Sequence, residues 1–335
     1  MQKAISSLFM TGLPGPTVDD SSRDLVAQLG INHFIIFKRN VVDPDQLKKL
    51  CQDLGQLCRE HQLDPPLISI DQEGGTVARL GPPFRQFADA REYGEDEEAE
   101  ERVAEFARLC AQDLRECGIN LNFAPVLDVC PANQGCFMEQ RALGSDPARV
   151  AQLGQIIIET MQAAGVAACA KHFPGLGEGV VDPHLLLPRV SKSAAEIRAF
   201  DLIPFKEAIK AGVAAIMTSH VIYQHLDPET LATMSAPILT TLLRQELGYE
   251  GVVVTDDLEM GAIENDLTVP EAACRALKAG ADLLLICHDH AKVRASHARI
   301  NQALADNELS REQIMAASQR IGRLSASLFS ARGPQ

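Results

Sequence analysis

No stretch of this 335-residue sequence is apolar for long enough to cross a bilayer, so a membrane partner is not expected. The N-terminus carries one lysine and an apolar run broken by Gly12 and Pro14, too short for a secretory leader. Positive charge is scarce: 31 lysines and arginines face 45 aspartates and glutamates, a formal net charge of -14. That balance disfavours nucleic acid and anionic surfaces as partners. Nine cysteines include no CxxC pair, which implies neither a disulfide framework nor a zinc site. Cys51/Cys58 and Cys110/Cys117 repeat at a seven-residue helical spacing that suits packed thiols, and a reducing cytoplasm fits best. Low-complexity segments, Gly/Ser linkers and internal repeats are also missing. Gly74-Gly75 lacks the GxGxxG or Walker pattern and is no phosphate cradle.

What is present alternates. Apolar runs expected to form strands cover Leu8–Leu13, His33–Phe37, Leu67–Asp71, Asn120–Pro125, Val166–Lys171, Ala214–Ser219, Gly251–Thr255 and Ala281–Cys287. Helical patterns fall between them, near 19–29, 45–61, 97–117, 146–164, 193–211, 237–247, 269–279 and 290–306. In one of these, Val103, Phe106, Cys110, Leu114 and Cys117 share a face and Gly118 follows as a C-terminal cap. The acidic run Glu95–Glu101 reads as the solvated start of that helix. Strict alternation predicts an α/β fold of parallel βα units, and the count of eight favours a (β/α)8 TIM-type barrel over a doubly wound sheet. The chain is expected to form a single domain over 1–335, with a C-terminal helix at about 309–330 packing on the barrel.

Polar residues cluster where that barrel would hold its active site. Asp71, Lys171/His172, His220 and Asp256 stand at or just past strand ends, the face that carries chemistry in such barrels. The segment Lys171–Pro188, KHFPGLGEGVVDPHLLLP, pairs Lys171-His172 with Asp182 and His184 across a loop rich in glycine and proline. An Asp two residues before a His can orient the imidazole and raise its pKa, as a proton shuttle near neutrality needs. Gly251–Met260, GVVVTDDLEM, ends a β-branched strand in two carboxylates. Asp256 is open to catalytic and structural readings, whereas Asp257 and Glu259 fit structural roles better. Arg79 and Arg141, taken alone, read as surface residues, and Asp146 before Pro147 reads as an N-cap. His220 alone suits a satisfied core histidine. His288-Asp289-His290 resembles a metal pair without a third ligand at typical spacing, so no metal and no cofactor is expected.

Seven motifs in order along nearly the whole chain resemble the glycoside hydrolase family 3 barrel, specifically its bacterial single-domain β-N-acetylglucosaminidases. They are FIIFKRN (Phe34–Asn40), DQEGG (Asp71–Gly75), ARL around Arg79, RALGSDP (Arg141–Pro147), KHFPGLG with the later D-x-H (Lys171–His184), MTSHVIY (Met217–Tyr223) and TDDLEM (Thr255–Met260). The resemblance implies a retaining glycosidase. Asp256 would be the nucleophile and His184 the general acid/base, oriented by Asp182. Asp71, Arg79, Arg141, Lys171 and His172 would bind the sugar, with His220 lining the same pocket. It further implies a small carbohydrate substrate, terminal β-linked N-acetylglucosamine, and a cytoplasmic part in recycling cell-wall muropeptides. Lys171, Arg79 and Arg141 would then form a positive island that keeps Asp256 ionised. Two positions depart from the family pattern: Leu176 stands where histidine is common, and Pro183 where serine or threonine is.

Other readings stay open at this point. A histidine in place of a carboxylate acid would also suit phosphorolysis by a related enzyme. A metal-dependent barrel hydrolase could draw on His172, His220 and Asp256, and a non-catalytic sugar-binding barrel would fit the altered loop. Nothing in the sequence speaks to oligomeric state.

Overall fold

A computed structural model describes residues 1–132, 136–176 and 188–330. The expected eight strands all form: β1 (Phe9–Gly12), β2 (His33–Ile36), β3 (Ile68–Ile70), β4 (Leu121–Asn122), β5 (Ala167–Phe173), β7 (Ala215–Thr218), β9 (Val252–Asp257) and β10 (Leu283–Ile286). They close a parallel barrel in the order β1-β2-β3-β4-β5-β7-β9-β10. A minor pair outside it, β6 (Arg189–Val190) with β8 (Ile222–Tyr223), is also parallel. The fold is the (β/α)8 barrel. Barrel strands are buried on both faces, which is why they read as continuous apolar runs rather than alternating ones.

The helices follow the periodicity with one break. In Ala99–Cys117 the face of Val103, Phe106, Cys110, Leu114 and Cys117 is buried, and Gly118 closes the helix at φ +94°. Glu100 and Glu101 occupy its first turn, where the helix dipole favours negative charge. Asp146 caps Pro147–Ala163 by accepting from the Ala148 N–H at 3.1 Å. The single helix expected over 193–211 is instead two, Ala194–Ala199 and Leu202–Lys210. Pro204 accounts for the break: it has no N–H for the Phe200 carbonyl, and its ring would collide with that carbonyl in a continuous helix. The final helix, Arg311–Ser330, buries Ile314, Ala317 and Ile321 and joins the barrel base through Arg320 to Asp282 at 2.8 Å.

Candidate active site

The C-terminal ends of the strands surround a cavity of about 870 Å³, within the range of small-molecule sites. Asp71 lies one residue past β3, Lys171 and His172 lie inside β5, His220 two residues past β7, and Asp256 inside β9. Arg79 arrives from the loop after β3 and Arg141 from the loop after β4. All seven line this cavity, together with Glu73, Phe137, Leu176 and Met260. Asp182 and His184 lie outside the described residues, as does Pro183.

Local structure aims each group. After β3 the chain reverses through Gly74 (φ +102°) and Gly75 (φ +50°), a left-handed pair where a Cβ would also strike the Ala88 carbonyl at 2.5 Å and the Asp89 carboxylate at 1.8 Å. The reversal lets the buried Gln72 carboxamide oxygen accept from both the Arg79 and Leu80 N–H groups, at 2.9 and 3.1 Å. Arg79 is thereby held over the strand end instead of standing free in solvent.

Five charges then alternate. Arg79 donates to Asp71 at 3.0 Å, and Lys171 Nζ reaches Asp71 at 2.8 Å and Glu73 at 2.6 Å. Arg141 grips Glu73 with two parallel bonds of 2.9 and 2.8 Å. Burial would raise the Asp71 pKa, but Lys171 and Arg79 outweigh it and hold the carboxyl well below the usual range. Burial is likewise overcome at Glu73, where Arg141 and Lys171 bring the pKa down to about 2. Lys171 and Arg141 shift upward, their carboxylate partners overcoming desolvation. The expected positive island is therefore corrected: the three cations are neutralised in large part by Asp71 and Glu73. The surface placement that Arg141 suggests by itself is corrected too, since its side chain is only 14% exposed.

The two cavity histidines are held differently. Asp128, fully buried, takes the His172 Nδ1–H at 2.7 Å and also the Leu176 N–H at 2.6 Å. That leaves Nε2 as the ring nitrogen able to meet a ligand. His220 Nε2 donates to the Asp257 carbonyl at 2.9 Å, which requires the hydrogen there. Burial lowers its pKa against the pull of Asp256, and Nδ1 lies within hydrogen-bond distance of the Thr233 hydroxyl, at 2.8 Å. With both nitrogens engaged, His220 is a poor metal ligand, and the metal-hydrolase alternative loses a donor on chemical grounds. His288, Asp289 and His290 diverge rather than converge: Asp289 caps the helix His290–Ala305, and His290 bonds Ser21 and the Gly12 carbonyl.

Sequence patterns had not singled out Glu73, Asp128, Gln72 or Thr233. Glu73 stood in plain view inside DQEGG, and a second carboxylate two residues after Asp71 was its signal.

A sequence profile described as the N-terminal domain of glycosyl hydrolase family 3 matches residues 3–324. The chain belongs to glycosyl hydrolase family 3. It is a glycoside hydrolase, and the cavity at the strand ends is where such a barrel works. A β-hexosaminidase of Thiobacillus denitrificans is 36% identical over 285 residues, 84% of this chain and 78% of that protein. One from Pseudomonas aeruginosa is 34% identical over 297 residues, 88% and 86% of the two chains. Among solved structures, the family 3 β-N-acetylglucosaminidase of Paenibacillus sp. str. FPU-7 superposes with a TM-score of 0.94 at 38% identity. That match covers all of this chain and 64% of the other, so the present chain spans somewhat under two thirds of that relative's length. A β-N-acetylhexosaminidase from Beutenbergia cavernae gives a TM-score of 0.85 at 27% identity, with 99% and 98% of the chains covered.

Proposed function

We propose that this protein hydrolyses terminal, non-reducing β-linked N-acetylglucosamine with retention, through a covalent glycosyl-enzyme on Asp256. The observation that carries the proposal is the placing of the Asp256 carboxylate, at the end of β9, in one cavity with the chain Arg79–Asp71–Lys171–Glu73–Arg141. A pyranose needs donors and acceptors in alternation around its hydroxyls, and this chain supplies both. Asp256 attacks C1 from below the ring. His184, oriented by Asp182, gives its proton to the departing oxygen, and the neutral imidazole then takes a proton from the water that releases the sugar. The names of the relatives support the N-acetylglucosamine preference, and a cytoplasmic role in muropeptide recycling belongs to the same proposal.

Aryl β-glycosides differing at C2 and C4 test the proposal: kcat/KM for the N-acetylglucosaminide is expected to exceed that of the glucoside by at least about tenfold. Free sugar should be the product in phosphate buffer. Sugar 1-phosphate as the main product would replace hydrolysis by phosphorolysis.

The acid role of His184 has its own signature. His184→Ala should slow alkyl glycosides by about 10²-fold or more while leaving activated aryl glycosides within about tenfold of the parent, since good leaving groups need little protonation. Equal losses for both substrates would remove His184 from that role.

A further inference from the structure

His288 follows β10 and belongs to none of the motifs that carry the family resemblance. Its side chain is 52% exposed, yet it is held on three sides. The ring packs on Phe37 with centroids 5.3 Å apart. Nδ1 lies 3.1 Å from Arg39 Nη1, and a guanidinium can only donate, so Nδ1 accepts. The hydrogen is therefore on Nε2, which lies 3.3 Å from Asp257 Oδ2 as an ion-pair contact. Arg39 is itself locked by the Leu13 carbonyl at 2.8 Å and the Cys287 carbonyl at 2.7 Å, which fixes His288 relative to the barrel seam.

Asp257 passes this constraint on. Its Oδ1 accepts from the Glu259 N–H at 3.1 Å and the Cys287 N–H at 3.3 Å, while Oδ2 faces His288. Its own backbone carries two bonds of the site: the N–H donates to Asp256 Oδ1 at 2.8 Å, and the carbonyl accepts from His220. Among the described residues, that N–H is the hydrogen-bond partner of the Asp256 carboxylate. The two groups belong to the peptides on either side of the Asp257 Cα, so a shift of that Cα would disturb Asp256 and His220 together.

We propose that His288 is a positioning residue for Asp256: it clamps the Asp257 side chain so that the Asp257 peptide holds the carboxylate in line with the anomeric carbon. The inference rests on Asp256 being the nucleophile. Attack geometry is sensitive to displacements well below an ångström, and the effect is felt in the bond-forming step more than in binding.

Single-turnover release of the aryl group from an activated N-acetylglucosaminide reads that step directly. His288→Phe keeps the packing on Phe37 and removes both nitrogen contacts. Its rate should fall about tenfold, with the half-saturating substrate concentration changing less than about twofold. His288→Gln retains an N–H donor toward Asp257 and an oxygen for Arg39, and should recover most of the rate. If the Phe variant does not fold, His288→Ala takes its place beside Gln. A parent-like rate in the apolar variant overturns the proposal, as does a loss that appears in half-saturation alone or that Gln shares in full. Asp256→Ala run in parallel separates the two levels: if it retains turnover, the nucleophile assignment fails, whereas an inactive Asp256→Ala beside a parent-like His288→Phe refutes the clamp alone.

Discussion

Asp256→Ala is expected to lower kcat/KM for an aryl N-acetylglucosaminide by at least about 10⁴-fold without unfolding the protein. The side chain is half-buried at a strand end, and among the described residues its hydrogen bond comes from the neighbouring Asp257 N–H rather than from a buried cation. Its removal thus leaves no unpaired charge in the interior. The loss should be chemical and not structural. A shortened side chain also leaves room beneath the sugar, so azide should restore turnover to Asp256→Gly and yield the α-glycosyl azide, the product of one displacement instead of two. A substrate with a good leaving group and a slow second step should in turn leave the sugar attached to Asp256 of the parent enzyme, seen by peptide mass spectrometry. An adduct on Asp257 or Glu259 would transfer the role. The geometry argues against both, since Asp257 is spent on His288 and two backbone N–H groups, and Glu259 on the His288 and Asp289 N–H groups and Lys292.

How much of this was legible beforehand depended on the range of the forces involved. Each strand is a local apolar run, and its burial on both faces follows from barrel geometry, so all eight were readable to within a few residues. The Pro204 break was also local and readable, but an unbroken amphipathic pattern on either side masked it. Asp71, Lys171, His172, His220 and Asp256 could be gathered into one cavity because a barrel puts every strand end on one face. Their partners could not be read in the same way. Glu73 meets Arg141 across 68 positions and Asp128 meets His172 across 44, and no periodicity encodes such pairings. Charge type alone also misleads: three cations near a site suggest a positive field, but in the folded protein two carboxylates are threaded between them. Asp182 and His184 fall outside the described residues, and their roles stand as part of the proposed function.

Those threaded carboxylates make Glu73 the most consequential position that sequence patterns passed over. Its side chain is 5% exposed and sits between Lys171, 2% exposed, and Arg141. Glu73→Leu would leave both cations buried beside an apolar group, and breaking a buried pair from one side costs about 3–5 kcal/mol. The urea midpoint should drop accordingly. Activity should fall with it, because Arg141 loses the anchor that aims it into the cavity and Lys171 is left with Asp71 alone. Linkage supplies an independent check. The folded-state pKa of Glu73 lies at about 2, below its ordinary value of 4.5, so its contribution is complete above 4.5 and drains away as pH falls from there through about 2. The parent should lose stability across that window, and Glu73→Gln, which carries no proton to gain, should lose less over the same range. A Glu73→Leu protein as stable as its parent, or a Gln variant with an unchanged acid limb, would mean that the alternating chain does not hold the site together.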